Sequence, residues 1–186
     1  GYGVGAIGLD LSYGMFYSYL SYYLSSVLGL TEGFLLLLTP LARIWDGIND
    51  PMMGALMDKA FAKRQNKNGK FRPWILRSTP LLAITAIALW TVPTFCDGIA
   101  TIVALFAFKI LYEASYTMFN IPMGSLLSAM AKNDEERAQL SSARGFGSTV
   151  SSLVPVMTAP LILSYFGDTN PTAYMVCSVV FAAIGF

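Results

Sequence analysis

Apolar residues run through this chain in long stretches, at 3–28, 33–57, 74–95, 99–131, 141–166 and 172–186. None of them alternates with a period of two. Lipid admits only helices or closed barrels, because every backbone polar group must be satisfied internally. A helix needs about 20 residues to cross about 30 Å of hydrocarbon. The first five stretches reach that length and the sixth stops short at Phe186. The pattern predicts six transmembrane helices in an all-α integral membrane protein.

Composition agrees with the pattern. Of 186 residues, 55% are hydrophobic and 12% are charged, against about 25% charged in a soluble domain. The chain opens at Gly1 without methionine and ends inside an apolar run, so it is expected to be a piece of a longer protein. There is no histidine, which argues against a zinc site or histidine-based catalysis. Cys96 and Cys177 follow no metal or redox spacing. A membrane enzyme would need a nucleophile–base pair or metal ligands in a cavity, and the sequence offers neither. We expect no enzyme and no cofactor.

The connections alternate in charge. Residues 29–33, 95–100 and 165–173 carry no lysine or arginine. Residues 58–77 carry Lys59, Lys63, Arg64, Lys67, Lys70, Arg72 and Arg77, and residues 131–144 carry Lys132, Arg137 and Arg144. The positive-inside rule then puts the N-terminus and both basic loops in the cytoplasm. Membrane orientation accounts for the basic loops, so no nucleic-acid partner is expected.

Charged residues interrupt the second stretch, in "RIWDGINDPMMGALMD". Asp46 falls near the middle of the span, and Asp50 one turn nearer the cytoplasm. Arg43, Asp46, Asn49 and Asp50 are three and four residues apart and share a helix face. A charge at mid-membrane costs on the order of 3 kcal/mol, so such groups face the interior and pair. An Arg43–Asp46 ion pair is one reading. A mobile cation (sodium, lithium or a proton) is the other, because one arginine cannot neutralise two carboxylates. Hard cations take oxygen ligands, and Pro40 and Pro51 free backbone carbonyls on either side.

Other spans add polar positions. Asp10, Tyr13, Gly14, Tyr17 and Ser21 share a face of the first span. An aromatic face beside a carboxylate suits a sugar ring, with Asp10 binding hydroxyls. Tyr22 and Tyr23 read as interfacial belt residues. The fourth span holds Lys109, Glu113, Thr117 and Asn120 at four- and three-residue steps. Lys109 and Glu113 either pair within the helix or face the cavity. Arg144 opens the fifth span beside small residues that let helices approach closely. Together these positions describe a cation-coupled transporter with a polar cavity between the first, second, fourth and fifth spans.

Four motifs, "RIWDGINDPMMGALMDK", "NGKFRPW", "YTMFNIPMGSL" and "ERAQLSSAR", fall in order along the chain. With "GAIGLDLSYG" at the start, they resemble the glycoside–pentoside–hexuronide:cation symporter family. That family belongs to the major facilitator superfamily. The resemblance implies a twelve-helix fold of which this chain is the N-terminal six-helix half, with a missing C-terminal half completing the site. It implies a multi-pass protein of the cell's inner (plasma) membrane. Its partners are a sugar substrate, a monovalent cation and membrane lipid.

The resemblance also implies roles. Asp46 and Asp50 match the cation-binding acids, as Na+ ligands, with Asn49 and Thr117 beside them. Asp10 matches a sugar-binding carboxylate and Tyr17 a nearby aromatic. Asn120 and Arg144 match sugar-site positions, and Arg137 a gating position in the cytoplasmic loop. Members that carry melibiose have lysine, aspartate and tryptophan where this chain has Leu9, Asn120 and Gly124, which implies a different sugar. Lys109 and Glu113 are charges the resemblance does not supply. Lys109 could replace the charge lost at Leu9 or bind an acidic sugar. The expected activity is alternating-access symport of a glycoside, pentoside or hexuronide with Na+ or H+. The alternatives are a uniporter or lipid carrier of the same fold, or a transporter-like sensor.

Overall fold

The computed structural model describes residues 2–63 and 71–185. Arg64, Lys67 and Lys70, three of the basic residues of the 58–77 connection, lie outside the described residues. Six α-helices follow in order: α1 (Tyr2–Tyr22), α2 (Glu32–Lys63), α3 (Arg72–Thr91), α4 (Ile99–Met130), α5 (Asp134–Phe166) and α6 (Pro171–Gly185). A π-helical turn, Tyr23–Val27, extends α1, and a 3-10 turn, Val92–Phe95, closes α3. No strand occurs among the described residues.

Among the described residues, three segments, Arg72–Phe95, Ile99–Met130 and Asp134–Phe166, are long and apolar enough to cross a membrane by length and composition alone. The sequence pattern predicted six spans, five of them of full length. Tyrosine, serine and glycine dilute α1, and Arg43, Asp46, Asp50 and Asp58 dilute α2. These are the two helices that carry most of the predicted site.

The fifth helix starts earlier than the pattern predicted. Residues 131–144 were expected to be a connection, with the span opening at 141. The helix instead begins at Asp134 because Asn133 caps it. Asn133 Oδ1 accepts from the Glu136 backbone N–H at 2.8 Å, and Glu136 Oε2 accepts from the Lys132 N–H at 2.9 Å. Asp134, Glu135 and Glu136 fill the first turn, where carboxylates complement the helix dipole.

Packing is closest between α1 and α5, then between α3 and α4, with α6 set against both α1 and α3. Gly14 is the reason α1 and α5 can approach. A Cβ there would stand 3.0 Å from Ser152 Cα and 3.1 Å from the Ser152 carbonyl oxygen. At the opposite end of the bundle from the basic loops, three aromatic rings lock together. Tyr23 meets Trp90 edge-on at 4.9 Å and Tyr174 at 5.1 Å, and Trp90 stacks on Tyr174 at 5.7 Å. Tyr23 Oη donates to the Trp90 carbonyl at 2.8 Å. Tyr23 is therefore a core residue, wholly buried, and not the interfacial residue its position suggested. Tyr22 is exposed and donates to Asp168 Oδ2 at 2.9 Å.

Candidate functional site

The interrupting charges of α2 divide between two environments. Asn49 faces α4 and is wholly buried, whereas Arg43, Asp46 and Asp50 are exposed on the adjoining strip of the helix. No ion pair joins Arg43 to Asp46 among the described residues. The expected alternative of a structural pair is thus absent there, and the acids stay open to another counter-charge.

A hydrogen-bonded chain runs from α2 to α4. Asn49 Nδ2 donates to Thr117 Oγ1 at 2.9 Å, and the Thr117 hydroxyl donates onward to Asp50 Oδ1 at 3.0 Å. Asn49 Nδ2 also reaches the Glu113 carbonyl at 3.4 Å. The three- and four-residue steps of α2 and α4 bring these four residues onto facing strips. The structure brings together Asn49, Asp50 and Thr117. Asp46 lies within electrostatic range of Tyr13 and Glu113.

A second polar group adjoins the first. Arg144 of α5 donates from Nη2 to Asn120 Oδ1 of α4 at 2.6 Å. It rests against Gly124, whose Cβ, if present, would stand 3.6 Å from Nη1. Asp10 of α1 takes a hydrogen bond from Ser148 and is attracted by the Arg144 guanidinium. Tyr13 of α1 meets Tyr116 of α4 at a tilt, with ring centres 4.8 Å apart, and stacks on Tyr17 at 6.1 Å. Tyr17 itself is 77% exposed. Asp10, Asn120 and Arg144 thus cluster, with Tyr17 at the open edge.

Arg137 sits apart from both groups. Its Nη2 reaches Ser128 Oγ at 3.4 Å, from the start of α5 to the end of α4. Lys109 and Glu113 pair within α4.

Sequence reasoning missed Ser148 and Tyr116. Ser148 was hidden in a run of small residues that read as a packing surface. Tyr116 carried a usable signal, since it lies four residues before Asn120 and three after Glu113. Among the described residues, no group of three or more histidines, cysteines or carboxylates gathers as a metal cluster. Two carboxylates with amide and hydroxyl oxygens are the donor set on offer, which suits a monovalent hard cation rather than zinc.

A helical bundle with carboxylates, an arginine and an amide on facing helices has the build of a membrane carrier's binding site. The whole chain, residues 1–186, matches the family described as MFS/sugar transport protein. The chain belongs to that family. It is 31% identical over 91% of its length to an uncharacterized symporter, YnaJ, of Bacillus subtilis (strain 168), covering 36% of that protein. It is 29% identical over its full length to a putative sulfoquinovose importer of Escherichia coli (strain K12), covering 39% of it. It is also 29% identical, over 69% of its length, to the sodium-dependent lysophosphatidylcholine symporter 1 of Xenopus tropicalis, covering 23% of that protein. The chain therefore spans well under half the length of these relatives.

Proposed function

We propose that this chain is the first half of a cation-coupled sugar symporter that works by alternating access. One observation carries the reading. Thr117 and Asn120, three residues apart on α4, bind different partners: Thr117 the Asp50 carboxylate, and Asn120 the Arg144 guanidinium. Two polar sites thus share a single turn of helix. A cation at Asp46, Asp50, Asn49 and Thr117 lowers the repulsion between the two acids and fixes that turn. The adjoining group of Asp10, Tyr17, Asn120 and Arg144 then meets the sugar preorganised. By linkage each ligand tightens the other by the same factor. The relative named as a sulfoquinovose importer supports a sugar as substrate. The relative named as sodium-dependent supports sodium as the ion.

In this reading Arg137 gates the cytoplasmic side, and a second bundle, contributed by the rest of the protein, closes over the exposed strip of α2. The protein spans the inner (plasma) membrane with its N-terminus and basic loops in the cytoplasm.

The test is the melting temperature of the full-length protein in detergent, against glycosides, pentosides and hexuronides, with and without sodium. A ligand at about 100 times its Kd stabilises by about 2.7 kcal/mol. The expected result is that one sugar class raises the melt and sodium deepens the shift. Asp50→Asn should abolish cation-stimulated uptake while leaving residual sugar binding. Full cation coupling in that variant overturns the assignment. The second reading is a lipid carrier, favoured by the lysophosphatidylcholine symporter among the relatives. A melt that answers to a lysolipid and to no sugar selects it.

A further inference from the structure

Among the described residues, the Lys109 and Glu113 side chains hydrogen-bond to each other and to none of Asp46, Asn49, Asp50 and Thr117. Lys109 is only 5% exposed, and its ammonium lies 5.5 Å from the centre of the Phe16 ring. Glu113 Oε1 accepts from Lys109 Nζ. Glu113 Oε2 is buried and has no hydrogen-bond partner among the described residues. A buried carboxylate oxygen without a donor is costly, and more so away from bulk water.

Asn49 has the same deficit. A backbone carbonyl can only accept, so the contact with the Glu113 carbonyl requires Nδ2 on that side of the amide. That orientation leaves Asn49 Oδ1 buried without a partner, in a side chain of 0% exposure. The Thr117 hydrogen is already committed to Asp50. Two acceptor oxygens, Glu113 Oε2 and Asn49 Oδ1, and one donor, Trp45 Nε1, are left over where α2 meets α4. Asp46 adds negative charge from α2. The groups that face Glu113 are Lys109 and Tyr112 on its own helix, Asp46 on α2 and Tyr13 on α1.

We propose that Glu113, with Asn49 Oδ1, is a further ligand locus for the coupling cation, and that Lys109 is a built-in competitor which the arriving cation displaces. The inference rests on the Asp46–Asp50 reading and extends it to a third acid on α4. Oxygen ligands and net negative charge suit a hard cation such as sodium or lithium. The competing explanation is a bridging water. Trp45 Nε1, a buried donor without a partner, borders the same cavity of about 250 Å³ as Lys109 and Glu113. A water held there would be indifferent to sodium.

The two variants move in opposite directions if the proposal holds. In the full-length protein, Glu113→Gln keeps the shape and removes the charge. It should raise the sodium concentration at half-maximal thermal shift by about tenfold or more, the equivalent of about 1.4 kcal/mol. Lys109→Met removes the competitor and should lower that midpoint. A purely structural pair predicts lower melting in both variants with the sodium midpoint unmoved, and that result overturns the proposal. Asp50→Asn separates the two levels. If it abolishes the sodium shift while Glu113→Gln leaves the midpoint in place, the coupling site stands and the third ligand falls. If sodium, lithium and pH all leave the melt unchanged in the unaltered protein, the coupling reading itself falls.

Should Glu113→Gln fail to fold, a hydrophobic carbodiimide on the unaltered protein decides the matter, read by peptide mass spectrometry. Protection of Glu113 by sodium or lithium, with the midpoint seen for Asp50, assigns the metal ion. Labelling of Glu113 that neither sodium nor lithium reduces overturns the proposal.

Discussion

The Thr117 hydroxyl donates to Asp50 Oδ1 at 3.0 Å while accepting from Asn49 Nδ2 at 2.9 Å. One hydroxyl therefore holds two neighbouring residues of α2 against α4. It has a single hydrogen and uses it on the carboxylate, so its direction is fixed by Asn49 behind it.

Thr117→Val removes that hydroxyl at nearly constant volume and leaves the buried Asn49 amide with one acceptor fewer. A buried polar group left unpaired costs about 1–3 kcal/mol. We expect a lower melting temperature and a sodium midpoint shifted upward several-fold. Thr117→Ser should restore both. Sodium titration of the melt checks each variant, and a midpoint unchanged in the valine variant would remove Thr117 from the cation site.

Arg144 and Asn120 lie on the other side of the same helical turn. Arg144→Lys keeps a charge but loses the planar fork that reaches Nη2 to Asn120 and lays Nη1 over Gly124. Sugar affinity should fall by tenfold or more, about 1.4 kcal/mol, with the sodium-induced shift of the empty protein retained. Gly124→Trp should change sugar affinity too, since its first side-chain carbon would lie in van der Waals contact with the guanidinium, 3.6 Å away. Equilibrium binding of the sugar class found by thermal shift is the measurement. Unaltered affinity in both variants would clear this corner of any part in substrate binding.

Gly14→Ala tests the close approach of α1 and α5. The new methyl would stand 3.0 Å from a backbone carbon of Ser152, and backbone cannot turn aside as a side chain can. Overpacking of this kind costs about 1–3 kcal/mol, so the melt should drop by several degrees. Gly33→Ala, where nothing lies within 4 Å of the added carbon, is the control and should melt with the unaltered protein. Equal melting of the two variants would mean that α1 and α5 can separate freely.

Asn133→Ala removes the cap of α5. Loss of such a cap costs about 1 kcal/mol. Amide exchange should accelerate at residues 134–137 and stay unchanged in the middle of α5. Exchange that rises along the whole helix would show that the cap governs more than its own turn.

The helices were legible because lipid tolerates so few alternatives, and the acids of α2 stood out because nothing else in an apolar run explains them. Partner choice was less legible. That Asn49 faces inward while Asp46 and Asp50 lie on the open strip depends on how α2 is rotated against α4, and helix periodicity does not set that rotation. Asp10 finding Ser148 is a contact between helices more than a hundred residues apart in sequence. The early start of α5 was legible in "NDEE", an N-cap followed by acids. The same residues also read as a polar connection, and only the Asn133–Glu136 hydrogen bond separates the two readings. Tyr23 is a similar case: a tyrosine near a helix end has two common fates, and only packing against Trp90 and Tyr174 distinguishes them.

That aromatic knot has a mechanical consequence. It fastens the ends of α1, α3 and α6 at one membrane face, with Tyr174 Oη further tied to the Asp168 carbonyl at 2.9 Å. Three levers pinned at one end sweep their widest arc at the other. Any tilting of this bundle is therefore amplified towards the face that carries the basic loops, and the ring cluster serves as its fulcrum.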